Sequence, residues 1–121
     1  MQYMLLIYNS EKAWETMPEA ERTAAFNEYM QFSKDIETSG HMKTGDGNAL
    51  ESVKAATTVR VRDGKVQTTD GPFAETREQL GGYYLIEAKD LDEATQIAAR
   101  IPDARIGGGG VEIRPIMKFD M

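Results

Sequence analysis

The sequence predicts an α+β domain of the ferredoxin-like type, with the element order βαββαβ enlarged by an extra β-hairpin. Three observations predict it. An apolar run at residues 3–8 indicates a covered strand. Residues 18–39 and 91–101 carry apolar side chains at helical spacing. Between them, residues 57–69 alternate in polarity around a turn dipeptide, which is typical of a hairpin.

The length and composition describe one acidic domain, to which we assign residues 1–121. The 20 acidic and 14 basic side chains give a formal net charge of -6. This charge disfavours nucleic acid as a partner, because nonspecific affinity comes largely from Lys and Arg at phosphates. The absence of cysteine excludes disulfides, zinc–thiolate sites and a cysteine nucleophile. We therefore expect no metal and no cofactor.

The first strand is predicted at Tyr3 to Tyr8, which is apolar on both alternating faces. Such a run is typical of a central strand that is covered on both sides. It lacks a preceding basic region and is too short for a signal peptide or a membrane span. We therefore expect a cytoplasmic protein with no membrane partner.

The first helix is predicted over Pro18 to Ser39. The segment Thr16–Glu19 resembles a capping box with an early proline, and Gly40 is a natural stop. The apolar positions at helical spacing include Phe26, Tyr29, Met30 and Ile36. The segment His41–Leu50 contains two glycines, and we interpret it as a short strand followed by a loop.

The extra hairpin is predicted from Thr57–Arg62 and Lys65–Thr69, joined by Asp63-Gly64. This dipeptide is a strong signal for a two-residue turn. A loop of that length places Val61 opposite Val66, so that the apolar side chains share one face.

The second half of the chain is predicted to hold a strand, a helix and a strand. Leu80–Glu87 is rich in aromatic and branched residues, and its paired glycines indicate a bulge or a close approach of another subunit. Asp90 as N-cap and Glu93 three residues later begin a helix that Pro102 ends. A run of four glycines then connects flexibly to Val111–Ile116, where a proline indicates an edge strand.

This arrangement predicts a homodimer. Both helices are expected on one face of the sheet, and the other face would expose Leu, Ile and Tyr side chains. Large exposed apolar patches mark interaction surfaces, so we expect a second copy to cover this face. A pocket would lie between the subunits, or between the sheet and the helices.

Two runs, Val59–Lys65 and Asp70–Tyr84, resemble the YCII-related family, and specifically its DGPF-domain branch. The second run opens with Asp-Gly-Pro-Phe. The opening strand and the segments at 90–94 and 111–116 also match, so the resemblance covers essentially the whole chain. It implies a ferredoxin-like fold of the dimeric α/β-barrel type. Frequent gene neighbourhood with extracytoplasmic-function sigma factors implies a regulatory link.

In the wider family, a His–Asp pair in a cleft implies enzymes that act on small, sometimes aromatic, molecules. The matching aspartate in this chain is Asp70. The histidine of the first helix has no match, and Tyr29 falls near its place. The chain therefore departs from the two-residue acid–base pattern.

The turn at Asp70 is the main candidate site. Gly71 frees the backbone and Pro72 fixes φ, so the carboxylate lies at a rigid corner beside Phe73. Partial desolvation there would raise its pKa towards the range of a general base. The alternative is that the carboxylate accepts hydrogen bonds from its own turn. With Asp70 as the catalytic residue, we assign ligand binding to Gly71, Pro72, Phe73 and Arg77, the last for an anionic group.

Tyr29 and His41 are the further catalytic candidates. Tyr29 can present its phenol to a pocket, or it can be a core residue with its hydroxyl at the rim. His41 is the only histidine, and it can titrate near neutrality or serve a structural role at the end of the helix.

Two functions are compatible with these residues. The first is an enzyme without a metal, which catalyses proton transfer, elimination or isomerisation of a small molecule with Asp70 as base. The alternative is a noncatalytic module that binds a small ligand or regulates transcription through a sigma factor. The missing histidine partner favours the alternative.

Overall fold

The computed structural model describes residues 1–106 and 108–119. In this part of the chain, three α-helices and six strands form a mixed α+β structure. In chain order, the elements are β1 (Gln2–Asn9), α1 (Glu11–Thr16), α2 (Glu19–Thr38), β2 (Gly47–Ala49), β3 (Thr57–Arg62), β4 (Lys65–Asp70), β5 (Gln79–Glu87), α3 (Leu91–Ala98) and β6 (Gly110–Pro115). Short 3₁₀ turns lie at Val53–Ala55 and Pro102–Ala104. The first glycine of the 107–110 run lies outside the described residues.

Four strands form one sheet in the order β2-β5-β1-β6, and β1 pairs antiparallel with both neighbours. The central position predicted for the first strand is therefore confirmed. The last strand lies at the edge, as its Pro115 indicated. Among the described residues the sheet stays open and does not close into a barrel. The arrangement is compatible with a ferredoxin-like fold.

The extra hairpin forms a separate two-stranded sheet of β3 and β4. Val61 pairs with Val66, which confirms the predicted register. Asp63 and Gly64 have φ values of 53° and 75°, as a two-residue turn between twisted strands requires.

The beginning of the long helix differs from the prediction. Thr16 is the last residue of α1, a short helix that the periodicity did not predict, and its hydroxyl bonds to carbonyls of that helix. The capping box expected at Thr16–Glu19 is therefore wrong. Pro18 instead occupies the N-cap of α2, without a side-chain hydrogen bond. Ser10 caps α1 by accepting from the Ala13 N–H at 3.1 Å.

The segment between α2 and the hairpin also has a different order from that predicted. A turn comes first, and the strand Gly47–Ala49 follows it and pairs with β5. The bulge predicted at the paired glycines is confirmed, because the register between β1 and β5 shifts between Ile7 and Tyr8. The second cap is confirmed too: the Asp90 carboxylate accepts from the Glu93 N–H at 2.9 Å.

Helices α2 and α3 pack on one face of the sheet. Leu5, Ile36 and Ile101 are fully buried there, and the Phe32 and Tyr84 rings meet edge to face at 5.1 Å. Phe32 and Ile36 are buried in the second half of α2, whereas Ala25 is the only buried residue among those described in its first half. Space is left between part of α2 and the sheet.

Candidate functional site

A cavity of about 430 Å³ lies between the sheet and the part of α2 that runs from Arg22 to Ser33. Its apolar wall includes Ile7 from β1, Tyr84 from β5, and Phe26 and Met30 from α2. Trp14 of α1 closes one side. The lining is therefore drawn from both helices that follow β1 and from the two central strands.

Glycines on the sheet give this space its floor. Gly81 and Gly82 both line the cavity, in the bulged part of β5. A Cβ atom at Gly82 would lie 2.9 Å from the Asn48 carbonyl oxygen, and one at Gly81 would lie 2.9 Å from the amide of Asn9. Larger residues would therefore push β2 away from β5 or displace the polar wall.

A buried carboxylate organises the polar end of the cavity. Asp103 is 1% exposed and sits in the 3₁₀ turn Pro102–Ala104. Its Oδ1 accepts from Trp14 Nε1 at 3.0 Å. Its Oδ2 accepts from the Tyr29 hydroxyl and from Asn9 Nδ2, the latter at 3.3 Å. Side chains from α1, α2 and the end of β1 thus converge on one acceptor, as a buried carboxyl requires.

The Tyr29 phenol is neutral under ordinary conditions. Burial raises the pKa of Tyr29 well above its usual value, and the hydrogen bond to Asp103 raises it further. Its proton is donated to Asp103, so the phenol oxygen can act towards a ligand only as an acceptor. The natural complement is a ligand that carries a hydrogen-bond donor.

Three more residues bring polar groups to the cavity, namely Ser33, Tyr84 and Arg22. The Ser33 and Tyr84 hydroxyls lie 2.9 Å apart and satisfy one another. Burial also raises the pKa of Tyr84, while the hydrogen bond with Ser33 lowers it. Arg22 lies in the second turn of α2 and donates to the Trp14 carbonyl at 3.4 Å. Among the described residues it forms no ion pair.

The turn at Asp70, the main candidate from sequence, lies elsewhere. Asp70 ends β4 and is exposed, and it does not line the cavity. The Gly71 N–H donates to the Ala56 carbonyl at 2.7 Å, which closes the base of the hairpin. Phe73 is 79% exposed, with the Arg60 guanidinium 5.1 Å above its ring. Pro72 and Arg77 do not line the cavity either. The roles assigned to these residues stay predictions.

Of the three catalytic candidates, Tyr29 lines the cavity and His41 does not. The Nδ1 atom of His41 lies 2.7 Å from the Ser39 hydroxyl, and its Nε2 lies 3.4 Å from Glu93. The contact between His41 and Glu93 joins the end of α2 to the start of α3. The catalytic role of His41 stays a prediction.

Asp103, Trp14 and Asn9 were not identified from the sequence. In the sequence, Pro102 predicts the end of a helix, and this pattern assigns no role to the aspartate that follows it. One signal was available: Asp103 directly follows a buried apolar stripe at a proline, where a short turn keeps the chain inside. The single tryptophan in a polar segment was a second signal.

The part of the chain that the structure describes contains no cluster of three or more His, Asp or Glu side chains that could hold a metal ion. In the same residues, no helix has both the length and the apolar character needed to cross a membrane.

Comparisons with known proteins agree over the whole chain. Residues 1–120 match the YCII-related domain. An uncharacterised protein of Rhizobium meliloti (strain 1021) is 34% identical over 119 residues, which cover 98% of this chain and 94% of that protein. The resemblance found in the sequence therefore extends to the full length of the domain. The chain belongs to the YCII-related family.

Proposed function

We propose that this protein binds a small molecule with an apolar, flat body and one hydrogen-bond donor in the cavity between α2 and the sheet. The observation that carries the proposal is the buried Asp103 at the cavity wall, held by Tyr29 and Trp14. A buried carboxylate with convergent donors beside an apolar cavity is a typical ligand-binding arrangement.

The shape and lining of the cavity define the body of the ligand. Its volume of about 430 Å³ is within the range of small-molecule pockets. Trp14, Phe26 and Tyr84 supply aromatic surface, which favours offset or edge contacts with a flat ring system. A ring compound of one or two rings would bury most of its apolar surface here.

The Tyr29–Asp103 hydrogen bond defines the polar group of the ligand. Because the phenol proton is already committed to Asp103, a ligand hydroxyl or amine finds an acceptor in the Tyr29 oxygen. One hydrogen bond of this kind contributes about 1 kcal/mol, which is roughly a fivefold change in affinity. An ether of the same shape lacks the donor and should bind more weakly by that factor.

Tetrahydronaphthol and its methyl ether provide a matched pair of probes. Isothermal titration gives both affinities, and the emission of Trp14, the only tryptophan, reports whether the probe enters the cavity. We expect the alcohol to bind about fivefold more tightly than the ether. Binding of neither probe, or binding without any change in Trp14 emission, would count against this site.

Two variants separate the polar group from the rest of the site. Tyr29→Phe keeps the ring but removes the acceptor, and it should abolish the preference for the alcohol. Tyr8→Phe is the matched control, because Tyr8 alternates with Ile7 on β1, does not line the cavity and donates its hydroxyl to Glu112. If Tyr29→Phe keeps the preference, the Tyr29 oxygen is not the ligand acceptor.

A second candidate function is proton transfer by the same pair, and the continuous hydrogen bond from Tyr29 to Asp103 favours it. In the enol form of a bound ketone, the hydroxyl proton can pass to the Tyr29 oxygen while the Tyr29 proton moves to Asp103. The enolate that remains then takes a proton at carbon from water to give the ketone, and the reverse of these steps exchanges the C–H beside the carbonyl. The Asp103 oxygens already accept hydrogen bonds from Asn9, Trp14 and Tyr29, an arrangement that holds the wall of the site together. For this reason binding is the first proposal.

Deuterium exchange distinguishes the two candidates. β-Tetralone, which has the same ring body, is incubated with the protein in D₂O, and loss of the C–H signals beside its carbonyl is followed by NMR. An enzyme would accelerate the exchange, and Tyr29→Phe would remove the acceleration. If Asp70→Asn removes the acceleration instead, the result would support Asp70 as the base, as the sequence predicts. No acceleration at all would favour the binding module.

A further inference from the structure

We propose that in a pair of copies the β3–β4 hairpin of one copy packs its valine face over the mouth of the cavity in the other. The site would then be completed by the partner chain. The proposed contact between the two copies does not depend on any ligand. The effect of this contact on ligand binding rests on the proposed function.

The first observation is the bare apolar face of the hairpin. Val59, Val61 and Val66 are 59%, 66% and 72% exposed. They lie on one face, because Val61 pairs with Val66 and Val59 is two residues away on the same strand. Three adjacent exposed valines on a pleated surface indicate a face that is covered in the functional assembly.

The second observation is the isolation of the hairpin. Its strands bond only to each other within the described sheets. At its base, the Gly71 N–H bonds to the Ala56 carbonyl, and the Thr58 hydroxyl donates to the Gly71 carbonyl at 2.9 Å. A two-stranded hairpin without further packing is marginally stable in water. A partner surface supplies the missing packing.

The third observation is an apolar patch on α2 that has no cover. Phe26 and Met30 are 61% and 58% exposed although both line the cavity. They are four residues apart and therefore adjacent on one helix face. The α2 side of the cavity is consequently open to solvent, and a ligand there would keep part of its apolar surface in water.

Charge favours a second copy as the occupant of this patch. Helix α2 contains five acidic and two basic side chains. The hairpin segment Arg60–Val66 contains three basic side chains and one acidic side chain. The basic residues alternate with the valines and point to the opposite face, so they act through long-range attraction and orientation and not through contact.

The hairpin has the length to span the patch. Each strand has six residues, which correspond to about 20 Å. None of the hairpin residues lines the cavity of its own chain. Its base is fixed by the Ala56–Gly71 hydrogen bond and by the Val53 N–H, which donates to Glu11 at 3.0 Å. The cavity mouth of a second copy is therefore the favoured target.

Disulfide trapping tests the contact directly, because the chain contains no cysteine. Val61→Cys and Met30→Cys are made in separate, differently tagged copies, mixed and oxidised. Both positions are more than half exposed, so the variants should fold, which circular dichroism checks. We expect a disulfide-linked pair of the two tagged chains, formed several times faster than either homodimer.

Gln67→Cys is the matched control. Gln67 adjoins Val66 on β4, but its side chain points to the opposite hairpin face. It should crosslink poorly to the Met30→Cys copy. Equal crosslinking from both faces, or no crosslinking from Val61→Cys, overturns the proposal. An intramolecular disulfide in the Val61→Cys/Met30→Cys double variant, without a linked pair, shows instead that the hairpin covers its own cavity.

The effect on the ligand site is measured separately. Val61→Asp should weaken tetrahydronaphthol binding several-fold, and Gln67→Asp should not. If the crosslink forms but neither probe binds wild type, the hairpin contact stands and the proposed ligand fails. If wild type binds the probe but no crosslink forms, the proposed function stands and the hairpin contact fails.

Discussion

The Tyr29 phenol donates a hydrogen bond to the buried carboxylate of Asp103, 74 residues further along the chain. This bond ties the middle of α2 to the turn that follows α3. It also fixes which group Tyr29 presents to the cavity. The relationship therefore serves both the fold and the proposed binding site.

The first prediction concerns the stability that Asp103 provides. Asp103→Asn replaces one acceptor oxygen by an NH₂ group that faces existing donors. At least one of Trp14, Tyr29 and Asn9 then loses its partner. A buried polar group left without a partner costs about 1–3 kcal/mol. We expect the free energy of unfolding in urea to fall by that amount.

Asp70→Asn is the control for this substitution. Asp70 is exposed, and surface changes of this kind alter stability by about 0.5 kcal/mol or less. A loss of equal size in both variants would show that the Asp103 contacts carry no special stability.

The second prediction is a loss of stability at alkaline pH that depends on Tyr29. The pKa of Tyr29 is raised in the folded state, so above its ordinary value of about 10 the unfolded chain releases a proton that the folded chain retains. The folded state then binds more protons, and stability falls as pH rises. The contribution is fully present below about pH 10 and is lost above it.

Tyr29→Phe isolates this effect. The variant should be less stable than wild type at neutral pH, by about 1 kcal/mol for the lost hydrogen bond. Its stability should fall less steeply above about pH 10, so the two curves converge. Urea unfolding at several alkaline pH values measures both slopes. Parallel curves would mean that Tyr29 ionises equally easily in the folded and unfolded chains.

The fold was predictable where local pattern and packing agree. The hairpin register follows from Asp63-Gly64, and the cap of α3 follows from Asp90 and Glu93, because each depends on residues close in sequence. The start of α2 was predicted to within one residue, but its capping box was predicted wrongly. Thr16 is a good N-cap residue, but α1 already uses it as its last residue, and no local rule shows that one helix has ended there.

The candidate site was less predictable because its members are distant in sequence. Asn9, Tyr29 and Asp103 meet only when β1, α2 and the turn after α3 are packed together. A local sequence pattern assigns each of these residues a role within its own strand, helix or turn, and does not show that the three meet. Tyr29 was identified through its position on the helix, whereas Asp103 needed the tertiary structure. The conspicuous motif at Asp70 lies on the hairpin, away from this cavity.

The third prediction tests the glycine floor of the cavity. Gly82→Ala places a methyl group 2.9 Å from the Asn48 carbonyl, which belongs to the backbone of β2 and cannot move by a side-chain rotation. Such overpacking costs about 1–3 kcal/mol. We expect a reduced free energy of unfolding and weaker binding of tetrahydronaphthol, because β2 must shift at the cavity edge.

Gly110→Ala is the matched control on β6. A Cβ atom there meets nothing within 4 Å, and its φ is not in the left-handed region. Replacing this glycine should leave stability unchanged or raise it by about 0.4–1 kcal/mol through the unfolded chain. Equal losses from both variants would show a general intolerance of strand alanines and not a close approach at Gly82.

The fourth prediction concerns the open face of the sheet. Leu6 and Leu85 point away from the helices, since Leu5 and Tyr84 on the same strands are buried against them. In the single chain they are only half-buried. We expect a second copy to cover this face, so light scattering at micromolar concentration should give the mass of a dimer.

Leu6→Asp should shift the dimer towards monomer, because it places an unpaired charge in the centre of the expected interface. Leu91→Asp is the control: Leu91 is 55% exposed and begins α3 on the helical side, so its replacement should leave the mass unchanged. Circular dichroism must show both variants folded. A monomeric wild type, or a Leu6→Asp variant that stays dimeric, would contradict an interface on the open face. A dimer that dissociates with Val61→Asp but not with Leu6→Asp would show that the hairpin contact alone holds the pair together.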